Sequence, residues 1–197
     1  ATSLTNRSGG ACSPVSTFSY MNEGLSLQFT LTAQNASGAT TTNYRGTFAR
    51  LALKPASLAI GARDTAVGTS LSTRLDTAAG VTGTWGNGIA TGVVSTVAIQ
   101  RALAPDNPDG PFTQVRIGIA PSDPDGVALS AAALDFDVDG VGGNDRAQIG
   151  TTTQIRFGRL RMSNALGSER LALPVGMQVE YWNGSGFVVN TLDSCTT

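Results

Sequence analysis

Between residues 25 and 33, Leu25, Leu27, Phe29, Leu31 and Ala33 alternate with Ser26, Gln28, Thr30 and Thr32. Nine residues of period two put one face in a core and the other in water, so this stretch predicts a half-buried β-strand. The rest of the chain supports that choice. Its 197 residues hold one Lys (Lys54) and few Glu, which argues against long surface helices. The Thr, Val and 24 Gly argue for strands joined by turns.

Further strands follow along the chain. Phe18–Met21 precedes the first alternation, and Asn35-Ala-Ser-Gly38 closes it with a turn. Residues 39–53 are expected to return as a strand through Tyr44, Phe48, Leu51 and Leu53. Residues 56–61 allow another strand, and 65–79 read as a long loop with a short helical turn. Trp85-Gly-Asn-Gly88 is a turn signal, followed by strands at 89–103 and 113–119. About seven strands then occupy residues 16–122, the pattern of an immunoglobulin-like β-sandwich.

Residues 1–15 read as an irregular lead-in, and 123–150 as an Asp/Gly-rich connector. Residues 151–197 read as a second, smaller β unit with strands at 153–163, 175–182 and 186–190. It either packs on the sandwich or begins a second one, since three strands are few for an independent core. In its first strand, Ile155 and Phe157 lie on one parity and Leu160 and Met162 on the other. The phase switches at Gly158, which suggests a bulge.

Composition excludes several chemistries. With no His, a Ser-His-Asp triad, a Cys-His pair, His-ligated zinc and proximal-His haem are all impossible. A net charge of −1 argues against a phosphate-tracking nucleic-acid surface. No apolar run approaches the roughly 20 residues needed to span a bilayer. With no signal-peptide pattern, Ala1 reads as the start of a mature or trimmed chain.

The near-neutral total hides a strong asymmetry. Residues 1–105 balance at +4, residues 106–145 at −7 and residues 146–197 at +2. Within the acidic stretch, Asp135, Asp137 and Asp139 alternate before Gly140, with Asp145 following. Alternating carboxylates ahead of a Gly open a candidate Ca²⁺ loop, because Ca²⁺ takes six to eight oxygens. Arg146 stands where an EF-hand needs its bidentate Glu. The competing reading is an acidic solvated turn in which Phe136 and Val138 alternate inward. Asp123-Pro-Asp125-Gly126 and Asp106-Asn-Pro-Asp109-Gly110 read as Asx and Pro-Gly turns. A carboxylate-pair glycosidase is disfavoured, since 6% aromatic residues offer no obvious sugar platform. Lys54 reads as a solvated lysine.

Two stretches resemble a known family. One is Phe18-Ser-Tyr-Met21 with Phe29-Thr-Leu-Thr-Ala-Gln-Asn35 and Asn43-Tyr-Arg-Gly46. The more specific one runs through Arg156-Phe-Gly-Arg-Leu-Arg161, Ser163–Glu169, Glu180-Tyr-Trp-Asn-Gly184 and Asn190-Thr-Leu-Asp-Ser-Cys-Thr196. Both resemble the conserved C-terminal region of MshQ-like proteins, part of the biogenesis machinery of the mannose-sensitive haemagglutinin (MSHA) type IV pilus. The resemblance implies a non-enzymatic protein exported from a Gram-negative bacterium to the cell surface or beyond, with pilin subunits or pilus-assembly proteins as partners. It transfers no catalytic residues. In that family the region continues past Asp193-Ser-Cys195, which implies that the second β unit is incomplete here. The alternative expectation is a carbohydrate-binding module with glycans as ligands.

An exported protein would oxidise its cysteines. Cys12 and Cys195 are expected to bridge each other, since two cysteines leave one internal choice; the competing reading pairs each outside the chain or leaves it free. Arg156, Arg159, Arg161 and Arg170 form a modest basic group, read either as cross-strand partners of Glu169 and Glu180 or as a contact face. Tyr181 and Trp182 point to opposite faces of one strand. The expected interaction surface is Arg159, Arg161 and Trp182, with Trp182 the more exposed of the two rings.

Overall fold

The structure is a computed structural model that describes residues 2–7, 16–102, 107–168, 170 and 172–196. It is all-β. In chain order the strands are β1 Ser3–Thr5, β2 Phe18–Tyr20, β3 Leu25–Thr32, β4 Gly61–Asp64, β5 Thr69–Ser70, β6 Leu75–Asp76 and β7 Val81–Gly86. They continue as β8 Ile89–Ile99, β9 Phe112–Ile119, β10 Ala147–Gln148, β11 Thr153–Arg156, β12 Gly158–Met162, β13 Met177–Trp182 and β14 Phe187–Val189.

Two sheets face each other as a sandwich. One runs β1-β3-β8-β6, with β7 also on β8; the other runs β2-β11-β9-β4-β5, with β10 also on β9. The alternation of β3 sets the core: Leu25, Leu27 and Phe29 point inward opposite Val97, Ser95 and Val93 of β8. Ala62, Phe112, Val115, Ile117 and Ile155 meet them from the second sheet. Each fully buried Leu, Ile or Phe contributes about 1.5–3 kcal/mol of transfer free energy. Asp64 is a fully buried carboxylate in this core, and it accepts the N–H groups of Ala66, Thr113 and Gln114. A buried carboxylate held by three donors closes the β4–β9 end of the sheet.

Several local expectations change. The lead-in is not wholly irregular: Ser3–Thr5 forms β1 and pairs with Ser26–Gln28. Residues 39–53 form no strand; apart from the Gln34–Thr40 bridge they run as loop with a 3₁₀ turn at Gly46–Phe48. Their apolar side chains bury through tertiary packing, with Leu51 in the core. Residues 55–58 form one helical turn, followed directly by β4.

The boundary of the second unit also moves. β11 pairs with β9 and β2, so residues 153–156 belong to the sandwich. At Gly158 the chain passes from that sheet into a separate three-stranded sheet, β12-β13-β14. The change of phase is therefore a handover between sheets. Glycine is required there because a Cβ would lie 2.4 Å from the Tyr20 ring.

Candidate functional site

The most heavily built polar site joins the two β units. Arg7, beside β1, carries a buried guanidinium whose Nε donates to Glu23 at 2.8 Å and whose Nη1 donates to Asp193 at 2.7 Å. Its backbone sits in the left-handed region, φ 49°, with its N–H on Ser19 Oγ at 2.9 Å. The guanidinium also lies over the rings of Phe18 and Tyr20. Asp193 Oδ2 accepts the Tyr20 hydroxyl at 2.9 Å, and Asn190 Nδ2 donates to the same hydroxyl at 2.5 Å. Arg156 completes the chain of contacts, donating to Asn190 Oδ1 at 2.6 Å from between Phe18 and Tyr181.

The network therefore runs from residues 7, 20 and 23 through 156 to 190 and 193. Burial pushes the Asp193 carboxyl up, but the N–H groups of Cys195 and Thr196 and the Arg7 guanidinium outweigh it. The net effect holds the carboxyl well below the usual range. Burial, with Asp193 alongside, pushes the Tyr20 phenol up. Both shifts favour one charge state: Arg7 positive, Asp193 negative and Tyr20 protonated. Arg156 Nε is buried without a partner, which costs about 1–3 kcal/mol. The two aromatic faces that bracket Arg156 offset part of that cost.

This site was not legible as a site. Arg7 and Asp193 stand 186 positions apart. The available signal was that each is an isolated charge in a polar, uncharged stretch.

The expected interaction residues lie on one face of the small sheet. Arg159 and Arg161 straddle buried Glu180 at 2.7 Å and 3.2 Å, the cross-strand pairing set by the Arg159–Glu180 register. The two arginines hold the Glu180 carboxyl below its usual range. Glu169 lies outside the described residues. Trp182 is not an exposed ring: it is half-buried and packed edge-on against Phe187 at 5.5 Å, and its backbone N–H donates to the Phe157 carbonyl. The exposed apolar groups are on the other face, where Leu160, Met162 and Met177 are each more than half exposed.

The four Asp residues of the candidate calcium loop do not converge. Asp135 Oδ1 accepts the Gln148 N–H, Asp137 Oδ1 that of Gly140, Asp139 Oδ1 that of Val141 and Asp145 Oδ1 that of Val138. Among the described residues no group of three or more acidic or cysteine side chains could hold a metal ion. Arg146 pairs with Asp145 at 2.9 Å, and Arg63 packs against the backbone of Gly140. Phe136 and Val138 point inward, as the turn reading expected. Asp123 closes an Asx turn onto Asp125; Asp106 lies outside the described residues.

Cys12 also lies outside them, while the Cys195 N–H donates to Asp193 Oδ1 at 3.0 Å. No helix is long and apolar enough to cross a membrane among the described residues.

Comparison with known proteins gives two family matches. Residues 2–147 match the family described as DUF6701, third domain, and residues 156–197 match DUF6701, fourth domain. The second match begins at the last residue of β11, next to the Gly158 handover. No curated protein and no solved structure matches.

Proposed function

We propose, for a chain that belongs to the DUF6701 family and carries its third and fourth domains, a non-enzymatic role as a rigid structural or adhesive module. The module stands at a bacterial cell surface, in a type IV pilus or its assembly apparatus. The observation that carries the reading is the buried Arg7–Asp193 junction. A load-bearing fibre component needs its units fixed in register, and a desolvated, hydrogen-bonded ion pair fixes geometry better than an exposed one. Most polar groups of that junction are bonded to one another. The resemblance of residues 156–196 to pilus-biogenesis proteins supports the location. Oxidising conditions there would bridge Cys12 to Cys195, beside the junction.

Antibody raised against the chain should label intact cells of a bacterium that encodes it, and should detect it in sheared surface fibres. Retention of all the protein in the cytosolic fraction would overturn this reading.

A further inference from the structure

A groove of about 510 Å³ opens at one end of the sandwich, a volume typical of small-molecule sites. Its apolar wall includes Tyr44, Trp85 and Val127, and its rim carries Gln34, Asn35 and Asp125. We infer that this groove binds a neutral saccharide, which would give the displayed module a ligand of its own.

Three features point to that chemistry. First, the aromatic pair is fixed in place. Tyr44 and Trp85 meet edge to face at 4.9 Å, and the Trp85 indole N–H donates to the Leu51 carbonyl at 3.0 Å. The Tyr44 hydroxyl donates to Asp123 and accepts the Leu51 N–H. The Tyr44 loop is seated by Gly88, whose φ is +80° and whose Cβ would lie 2.4 Å from the Thr41 carbonyl. A wall held this firmly loses little conformational freedom when a ligand packs on it.

Second, among the described residues no Arg or Lys lines the groove, which leaves it without a cationic group to hold an anion. Third, the carboxylate that is not already used faces outward. Asp123 is spent on Tyr44 and the Asp125 N–H, whereas exposed Asp125 has no side-chain partner among the described residues. Gln34 Nε2 donates to the Gly38 carbonyl and Asn35 Oδ1 accepts the Ser37 and Ala39 N–H groups, so the Asp125 carboxylate, Gln34 Oε1 and Asn35 Nδ2 remain beside the aromatic rings, a set that suits a ligand with hydroxyl groups on one edge and C–H faces on the other. Two carboxylates, one of them engaged, are too few oxygens for a cation.

The chain has two tryptophans, so full-length protein carrying Trp182→Phe reports from Trp85 alone. That protein is titrated with a panel of defined neutral oligosaccharides, from disaccharide to hexasaccharide. At least one should shift the Trp85 emission saturably. Adding Asp125→Ala, in an exposed turn, should weaken that binding about tenfold with unchanged Tm. The inference is overturned if no oligosaccharide in the panel shifts the emission. It is equally overturned if binding persists undiminished with Asp125→Ala.

Discussion

Replacing Asp193 by Asn lowers the stability of the protein at pH 7 by about 3 kcal/mol, the lower end of the cost of breaking a buried ion pair. The Arg7 and Asp193 side chains are 8% and 1% exposed, so water cannot replace the lost carboxylate, and Arg7 keeps only the partly exposed Glu23 as counter-charge. For a chain of this size the loss lowers Tm by about 6–12 °C. Asp109→Asn, which breaks the more exposed Arg74–Asp109 pair, costs about 1 kcal/mol or less. The acid limb carries the same signature. Asp193 has a depressed carboxyl in the folded protein. Its contribution is therefore full above the unfolded value of about 3.9 and fades as pH falls through the lower folded value. Below about pH 4 the wild type loses this component and the Asp193→Asn protein does not, so their melting curves draw together. Thermal melts across pH 2–7 check both statements.

Reduction produces the second large effect. A Cys12–Cys195 bridge closes a loop of about 180 residues, which the chain-entropy relation values at about 5 kcal/mol. The oxidised protein should migrate faster than the reduced one on a denaturing gel and expose no thiol to a thiol-reactive dye after unfolding. Reductant should lower its Tm by at least 10 °C. Two titratable thiols in the native protein would contradict the bridge. No free cysteine occurs among the described residues. The Cys195 N–H also shares Asp193 Oδ1 with Arg7, so the bridge and the ion pair would brace the same turn.

Sequence periodicity exposes the parts of this fold that alternate, because alternation is how a sheet buries one face. Leu25, Leu27 and Phe29 are buried as their spacing implies, and so are Val115, Ile117 and Ile119. It fails where burial comes from single side chains crossing the fold. Tyr44 and Trp85 anchor the 39–53 loop through Leu51 with no local pattern, which is why a strand was expected there. Gly158 was visible as a break in phase, but a bulge and a change of sheet leave the same mark. The junction was hidden further still. Charge pairing has no period, and Arg7 and Asp193 meet only through the tertiary fold. The Asp135–Asp145 pattern shows how one spacing serves two readings. Its spacing matches a cation loop, and in the structure each carboxylate accepts a backbone N–H, with Arg146 also paired to Asp145.

The central claim is that the sandwich and the small sheet form one cooperative body, locked by the Arg7–Asp193 junction. Trp85 lies in the first and Trp182 in the second, so each unit carries its own fluorophore. Urea unfolding of the Trp85→Phe and Trp182→Phe proteins therefore reads the two units separately. The account predicts coincident transitions with the same midpoint and slope, which Asp193→Asn splits into two. A small sheet that already unfolds at lower urea in the otherwise unmodified protein would contradict it.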